Sequence, residues 1–89
     1  MKAIVTVIGK DRVGIIAEVC ALLAKNDVNV LDISQTILKG YFTMVMMVDT
    51  SACKMAFAEL ARLLQEEGEH TGLSVRIQRE DIFEAMHRI

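Results

Sequence analysis

The stretch GKDRVGII, residues 9–16, sets two glycines five positions apart around a charged turn and then becomes apolar. Gly9 to Gly14 supplies the G-x-x-x-x-G half of a phosphate loop. The other half, a Lys for phosphate oxygens and a Ser or Thr for magnesium, would fall where Ile15 and Ile16 stand. A nucleoside-triphosphate loop is therefore excluded at the residues that carry its chemistry. What remains is a glycine at the start of an apolar helix. The amides near Gly14, Ile15 and Ile16 have no intrahelical acceptor, and with the helix dipole they make a place for an anion, the dipole contributing about 0.3–1 kcal/mol when exposed. A carboxylate suits such a place as well as a phosphate, and Gly14 lets a ligand approach the backbone closely. Asp11 can accept from an α-ammonium group, and Asn29 offers both a donor and an acceptor. Each residue also has a purely structural reading that the sequence leaves open. Asp11 can cap the helix, Gly14 can serve close helix-to-sheet packing, Arg12 can be a solvated turn charge, and Asn29 can bond backbone at a strand start.

Other chemistry finds no constellation. Cys20 and Cys53 stand alone, without a C-x-x-C or a nearby His pair, which predicts neither a metal site nor a disulfide framework. Both fall on apolar helical stripes and are expected in the core. No G-x-S-x-G is present, and His70 and His87 sit in polar surroundings, so no catalytic residue and no cofactor are expected. Met44, Met46, Met47 and Met55 read as core filler rather than a metal box. Lys39-Gly40-Tyr41 begins like an RNA-reading strand, but Thr43 and Met46 replace the later stacking aromatics. With a net charge of −2 and no basic stripe, nucleic acid is not an expected partner.

These residues need a scaffold, and 89 residues, 53% hydrophobic and 25% charged without proline, make one ordered domain. No run of ~18 apolar residues is present, so no membrane span is expected. The N-terminal residues lack the pattern of a signal peptide, which makes the cytoplasm the expected compartment. KAIVTVI, residues 2–8, is a strand with Ala3, Val5 and Val7 on one face and Ile4, Thr6 and Ile8 on the other. Ile15, Ile16, Val19, Cys20 and Leu23 then form a helical stripe, with Asn26 placed to end it in the left-handed conformation. A second strand runs from Val28 to about Leu38, and its change of apolar parity points to a bulge or a sheet covered on both sides. Lys39-Gly40 turns a hairpin into a third strand, YFTMVMMV. Cys53, Ala56, Phe57, Leu60, Leu63 and Leu64 mark a second helix with Gly68 as its stop, and LSVRIQ is a half-exposed fourth strand. REDIFEAMHRI has the charge order of a short helix.

The order is β-α-β-β-α-β with a terminal helix. The predicted fold class is α+β, a ferredoxin-like sandwich with a four-stranded antiparallel sheet and two helices on one face. Residues 1–79 form the domain and residues 80–89 a helical tail. One sheet face lacks helices although the first and third strands are apolar on both sides, which predicts a cover for that face or an edge, either the terminal helix or, as the favoured expectation, the second subunit of a homodimer.

KDRVGIIAEVCALLAKNDVNVLDISQ resembles an ACT domain, and the likeness spans residues 1 to about 79. Its most specific parts are Asp-Arg-x-Gly-[Ile/Val/Leu] opening the first helix and, about fifteen residues later, Val-Asn-[Ile/Val] opening the second strand. The chain is most similar to small free-standing members, related to the glycine-cleavage-system repressor type. The family often has proline before the helix glycine, where this sequence has Val13. The resemblance implies a regulatory domain that binds a small effector, with an amino acid as the leading candidate, at an interface between domains. It implies that Asp11, Arg12, Val13, Gly14, Ile15 and Ile16 of one subunit share that ligand with Asn29 of a neighbour. The alternative is an interaction module that docks a protein partner through the open sheet face or the terminal helix. Acyl-phosphate hydrolysis, known on the same topology, needs an Arg and an Asn at a spacing that Arg12 and Asn29 do not have.

Overall fold

The computed structural model describes residues 1–82. Four strands, β1 (Lys2–Lys10), β2 (Asn29–Leu38), β3 (Tyr41–Asp49) and β4 (Leu73–Arg79), and two helices, α1 (Ile15–Lys25) and α2 (Phe57–His70), follow the expected β-α-β-β-α-β order. The strands form one antiparallel sheet in the order β2-β3-β1-β4. This is the ferredoxin-like α+β fold.

Register decides which side of each strand is buried. Ala3, Val5 and Val7 lie opposite Val48, Met46 and Met44, and Val5 and Val7 also face Ile77 and Val75. All of these belong to one core that includes Ile15, Val19 and Leu23 of α1 and Leu60 and Leu64 of α2. The other parity of β1, with Ile8 45% exposed, forms the helix-free face. α2 packs along β4, whereas α1 only grazes β2. The edge strand is left uncovered as a result, and every residue of β2 except Val30 is exposed.

The parity change in β2 is a bulge: pairing with β3 shifts between Val30 and Asp32, which leaves Leu31 as the extra residue. The β2–β3 hairpin closes on Lys39 and Gly40, with φ of 51° and 81°, the double positive φ of a type I′ turn. Lysine is strained in that conformation, by about 1 kcal/mol. Lys39→Asn should therefore raise stability by about 0.5–1 kcal/mol, read as a higher urea midpoint with an unchanged slope.

Several local expectations are corrected. Asn26 has a φ of −102°, and the left-handed position after α1 is taken by Asp27 at 59°. Asn26 instead bonds through its side-chain amide to the Leu22 carbonyl at 2.9 Å. α2 starts at Phe57, so Cys53 and Ala56 precede it; Cys53 still packs against the core. Gly68 is not a stop, because α2 continues through it to His70. A Cβ at Gly68 would lie 2.7 Å from Val75 Cγ2 and 2.9 Å from the Leu73 carbonyl oxygen, so glycine is there to let α2 approach β4. Ile16 and Cys20 belong only partly to the α1 core stripe, Ile16 being 38% exposed and Cys20 half-buried. Residues 80–82 form a helical turn, and the rest of the expected helical tail, residues 83–89, lies outside the described residues.

Candidate ligand site

The turn between β1 and α1 is held from two sides. The Asp11 amide donates to the Gly40 carbonyl oxygen at 2.9 Å, which fastens the turn to the tip of the β2–β3 hairpin. Arg12 Nη2 donates to Glu18 Oε2 at 2.7 Å and to the Thr71 carbonyl oxygen at 3.1 Å, reaching both helices. Gly14 is the N-cap of α1 with φ 92° and ψ 0°, and no side chain caps the helix. The capping role open to Asp11 is thus not the one it takes. Nothing lies within 4 Å of a Cβ built on Gly14, so glycine serves the left-handed backbone there rather than close packing. Arg12 is not a free turn charge, since it is tied to Glu18 and Thr71.

The first bond along α1 runs from the Glu18 amide to the Gly14 carbonyl at 2.9 Å. The amides of Ile15, Ile16 and Ala17 therefore precede the i to i−4 ladder and point out of the helix end. They border a hollow of about 250 Å³ lined by Asp11, Arg12, Gly14, Ile15, Ile16 and Ala17, with Gln35 and Ile37 of β2 and Phe42 of β3 on its other side. That is the volume of about eight liquid waters, which suits a molecule the size of a free amino acid and not a dinucleotide. Its chemistry is mixed: donors from the helix end, the Asp11 carboxylate, the Gln35 amide, and apolar wall from Ile16, Ile37 and Phe42.

Five of the seven residues singled out in the sequence thus come together. Val13 does not line the hollow and points into solvent, 98% exposed. Asn29 lies at the other end of the sheet. It pairs with Asp49 and, through it, lies in line with Lys2, whereas the turn follows Lys10, which pairs with Tyr41. Eight strand residues separate the two levels, about 27 Å at the usual rise. The Asp49 carboxylate at that end is held below the usual range, first by the Ser51 hydroxyl and then by the Ser51 amide. Gln35, Ile37, Phe42 and Ala17 were missed. The signal for two of them was present: a two-residue hairpin at Lys39-Gly40 sets Ile37 opposite Phe42, and that pair must flank whatever the end of β1 carries.

Among the described residues no group of three or more His, Cys, Asp or Glu is placed to hold a metal, and no helix is long and apolar enough to cross a membrane. Both cysteines are free.

A ferredoxin-like sandwich whose first turn presents helix amides beside an uncovered sheet edge defines a small α+β domain with a candidate ligand site at that turn. The sequence model of the ACT domain matches residues 2–78, and the chain belongs to that family. A UPF0237 protein of Clostridium acetobutylicum is 52% identical over 89 residues, covering 100% of both chains. The solved structure of an ACT domain protein from Streptococcus pneumoniae superposes with a TM-score of 0.84 at 44% identity, covering 98% of each chain. A structure described as that of a glycine cleavage system transcriptional repressor shares the fold, with a TM-score of 0.69 at 22% identity over 86% of this chain and 44% of that one.

Proposed function

We propose that this domain is a small-molecule sensor that binds a free amino acid in the hollow at the start of α1, completed by a second copy of the chain. The observation that carries the reading is the position of the hollow: its donors lie at a helix start, and its far wall, Gln35 and Ile37, is the uncovered edge strand itself. The ligand carboxylate would take the amides of residues 15–17, its ammonium group Asp11, and its side chain the Ile16–Ile37–Phe42 wall. The role is regulatory and involves no catalysis by this chain. Occurrence of the fold as less than half of a chain described as a transcriptional repressor agrees with such a role.

A second copy also accounts for Asn29. Two β2 edges that pair antiparallel about a two-fold axis, centred between Ile33 and Gln35, set Asn29 of one copy against residues 37–41 of the other. Asn29 is thereby brought from the far end of its own sheet to the neighbour's hollow. Exposed apolar residues on the same edge, Ile33 at 41% and Ile37 at 57%, gain cover from the same contact.

The test is a thermal-shift screen against all twenty amino acids, with nucleotides and metal ions as controls. A ligand at 100 times its Kd adds about 2.7 kcal/mol, which raises Tm by several degrees in a domain of this size. Gly14→Asp should abolish the shift, because it sets a carboxylate beside the helix amides of the hollow; the strain at a φ of 92° lowers the variant's own Tm, against which its ligand response is read. A response to no amino acid, or one that survives both Gly14→Asp and Asn29→Ala, would sink the reading.

A further inference from the structure

We propose that Arg12 is the link through which the β1–α1 turn communicates with the C-terminal end of α2, so that a ligand in the hollow is read out at that helix end. The role as an output rests on the sensor reading above; the link itself does not depend on it. The turn has two tethers of different kinds. The bond from the Asp11 amide to Gly40 joins backbone to backbone and fixes the turn to the hairpin. The other is the Arg12 side chain, whose single Nη2 is shared between Glu18 in the first turns of α1 and the carbonyl of Thr71, the C-cap of α2. A guanidinium suits the negative end of a helix, where carbonyl groups lack intrahelical donors.

The place of this contact gives it reach. α1 and α2 both rest on the sheet, but they leave a groove of about 250 Å³ between them, walled by Val19 and Leu22 on one side and Gly68 and Thr71 on the other. Arg12 crosses at the same end of the two helices, Glu18 and Thr71 being both its partners and part of the groove wall. Thr71 in turn precedes Gly72, whose φ of 77° turns the chain into β4. A shift at the Thr71 carbonyl is therefore a shift in how α2 enters the sheet.

Arg12 also lines the hollow. A carboxylate arriving there has Nε and Nη1 of the same guanidinium to bond, and turning the rigid planar group towards it draws Nη2 away from Glu18 and the Thr71 carbonyl. Its side chain is 36% exposed and that of Glu18 is 47% exposed, and exposed pairs of this kind are weak enough to be exchanged at little cost. Binding at the turn thus frees the end of α2, and a change at the end of α2 alters the turn, since coupling between two sites is reciprocal.

The test needs no ligand. Peptide-resolved amide hydrogen exchange is measured on the wild type, Arg12→Met, Arg12→Lys and Glu18→Ala, with Glu59→Gln on the exposed face of α2 as a control. Arg12→Met and Glu18→Ala should accelerate exchange at residues 69–75 about two- to fivefold, Arg12→Lys less, and the control not at all. Gly72→Ala, which disturbs the far end, should accelerate exchange at residues 11–18 when Arg12 is present and not in the Arg12→Met background. A merely local role for Arg12 would loosen residues 11–18 and leave 69–75 unchanged. That result, or an equal effect of Gly72→Ala in both backgrounds, overturns the proposal. A silent amino-acid screen leaves these outcomes untouched, and a broken link leaves the screen standing.

Discussion

Gly68→Ala is expected to destabilise the domain by about 2 kcal/mol, against the direction that helix propensity dictates. In an exposed helix interior the same change gains about 1 kcal/mol. Here the new methyl would meet Val75 Cγ2 at 2.7 Å and the Leu73 carbonyl oxygen at 2.9 Å. One obstacle is backbone and the other a β-branched side chain buried in the core, so neither can step aside as a flexible side chain would. Overpacking of this kind costs roughly 1–3 kcal/mol, and contacts this short belong at the upper end. The net loss should appear as a fall in Tm of roughly 10 °C in a domain of this size. Gly72→Ala is the comparison, because nothing lies within 4 Å of its built Cβ and only its φ of 77° is strained. A Gly68→Ala protein as stable as the wild type would mean that α2 can lift from β4 at no cost.

Ile37→Lys should change assembly and binding together while leaving the fold intact. Ile37 is 57% exposed in the single chain, so the substitution should move its stability by no more than about 0.5 kcal/mol. In a two-fold β2 contact, however, the lysine of each copy would be buried against residues 29–33 of the other edge, where the nearest carboxylate, Asp32, already accepts from the Ile33 amide of its own strand. Sedimentation velocity at micromolar concentration should report two copies for the wild type and one for the variant. Any effector-dependent rise in Tm should be lost with the second copy, since the hollow loses a wall and the neighbour's Asn29 at once. A wild type that is monomeric under these conditions, or an Ile37→Lys protein that still responds to the effector, would refute the shared site.

Much of this fold is local chemistry and was legible as such. Alternating β-branched residues in β1 and the pairing of Lys39 with Gly40 each depend on a few neighbours in sequence, and the structure repeats them. The bulge too was legible, because an extra residue leaves its mark as a switch of apolar parity. Gly68 was misread because a helix stop and a close helix–strand approach use the same residue; only the distance to Val75 and Leu73 separates them. Asn26 and Asp27 both tolerate the left-handed region, and the side-chain bond to Leu22 decided which of them entered it. The near side of the hollow was readable, Ala17 apart, because it falls within one short run, residues 11–16, of which only Val13 turns away. Its far side was not, because Gln35 and Ile37 reach it only through strand order, and Arg12 finds Thr71 across fifty-nine positions of chain.

The extra residue at Leu31 also acts as a tooth in a key. Before it β2 follows one alternation and after it the other, as the pairing of Val30 with Val48 and of Asp32 with Met47 records. A foreign strand with an unbroken repeat can mesh with residues 32–38 or with the two before the bulge, but not with both. Two antiparallel copies of β2 can pair without interruption through the central residues between their two bulges, whereas a longer foreign strand is broken off at Leu31. The defect thus shortens the unbroken template that an open ten-residue edge would otherwise offer to stray β-strands.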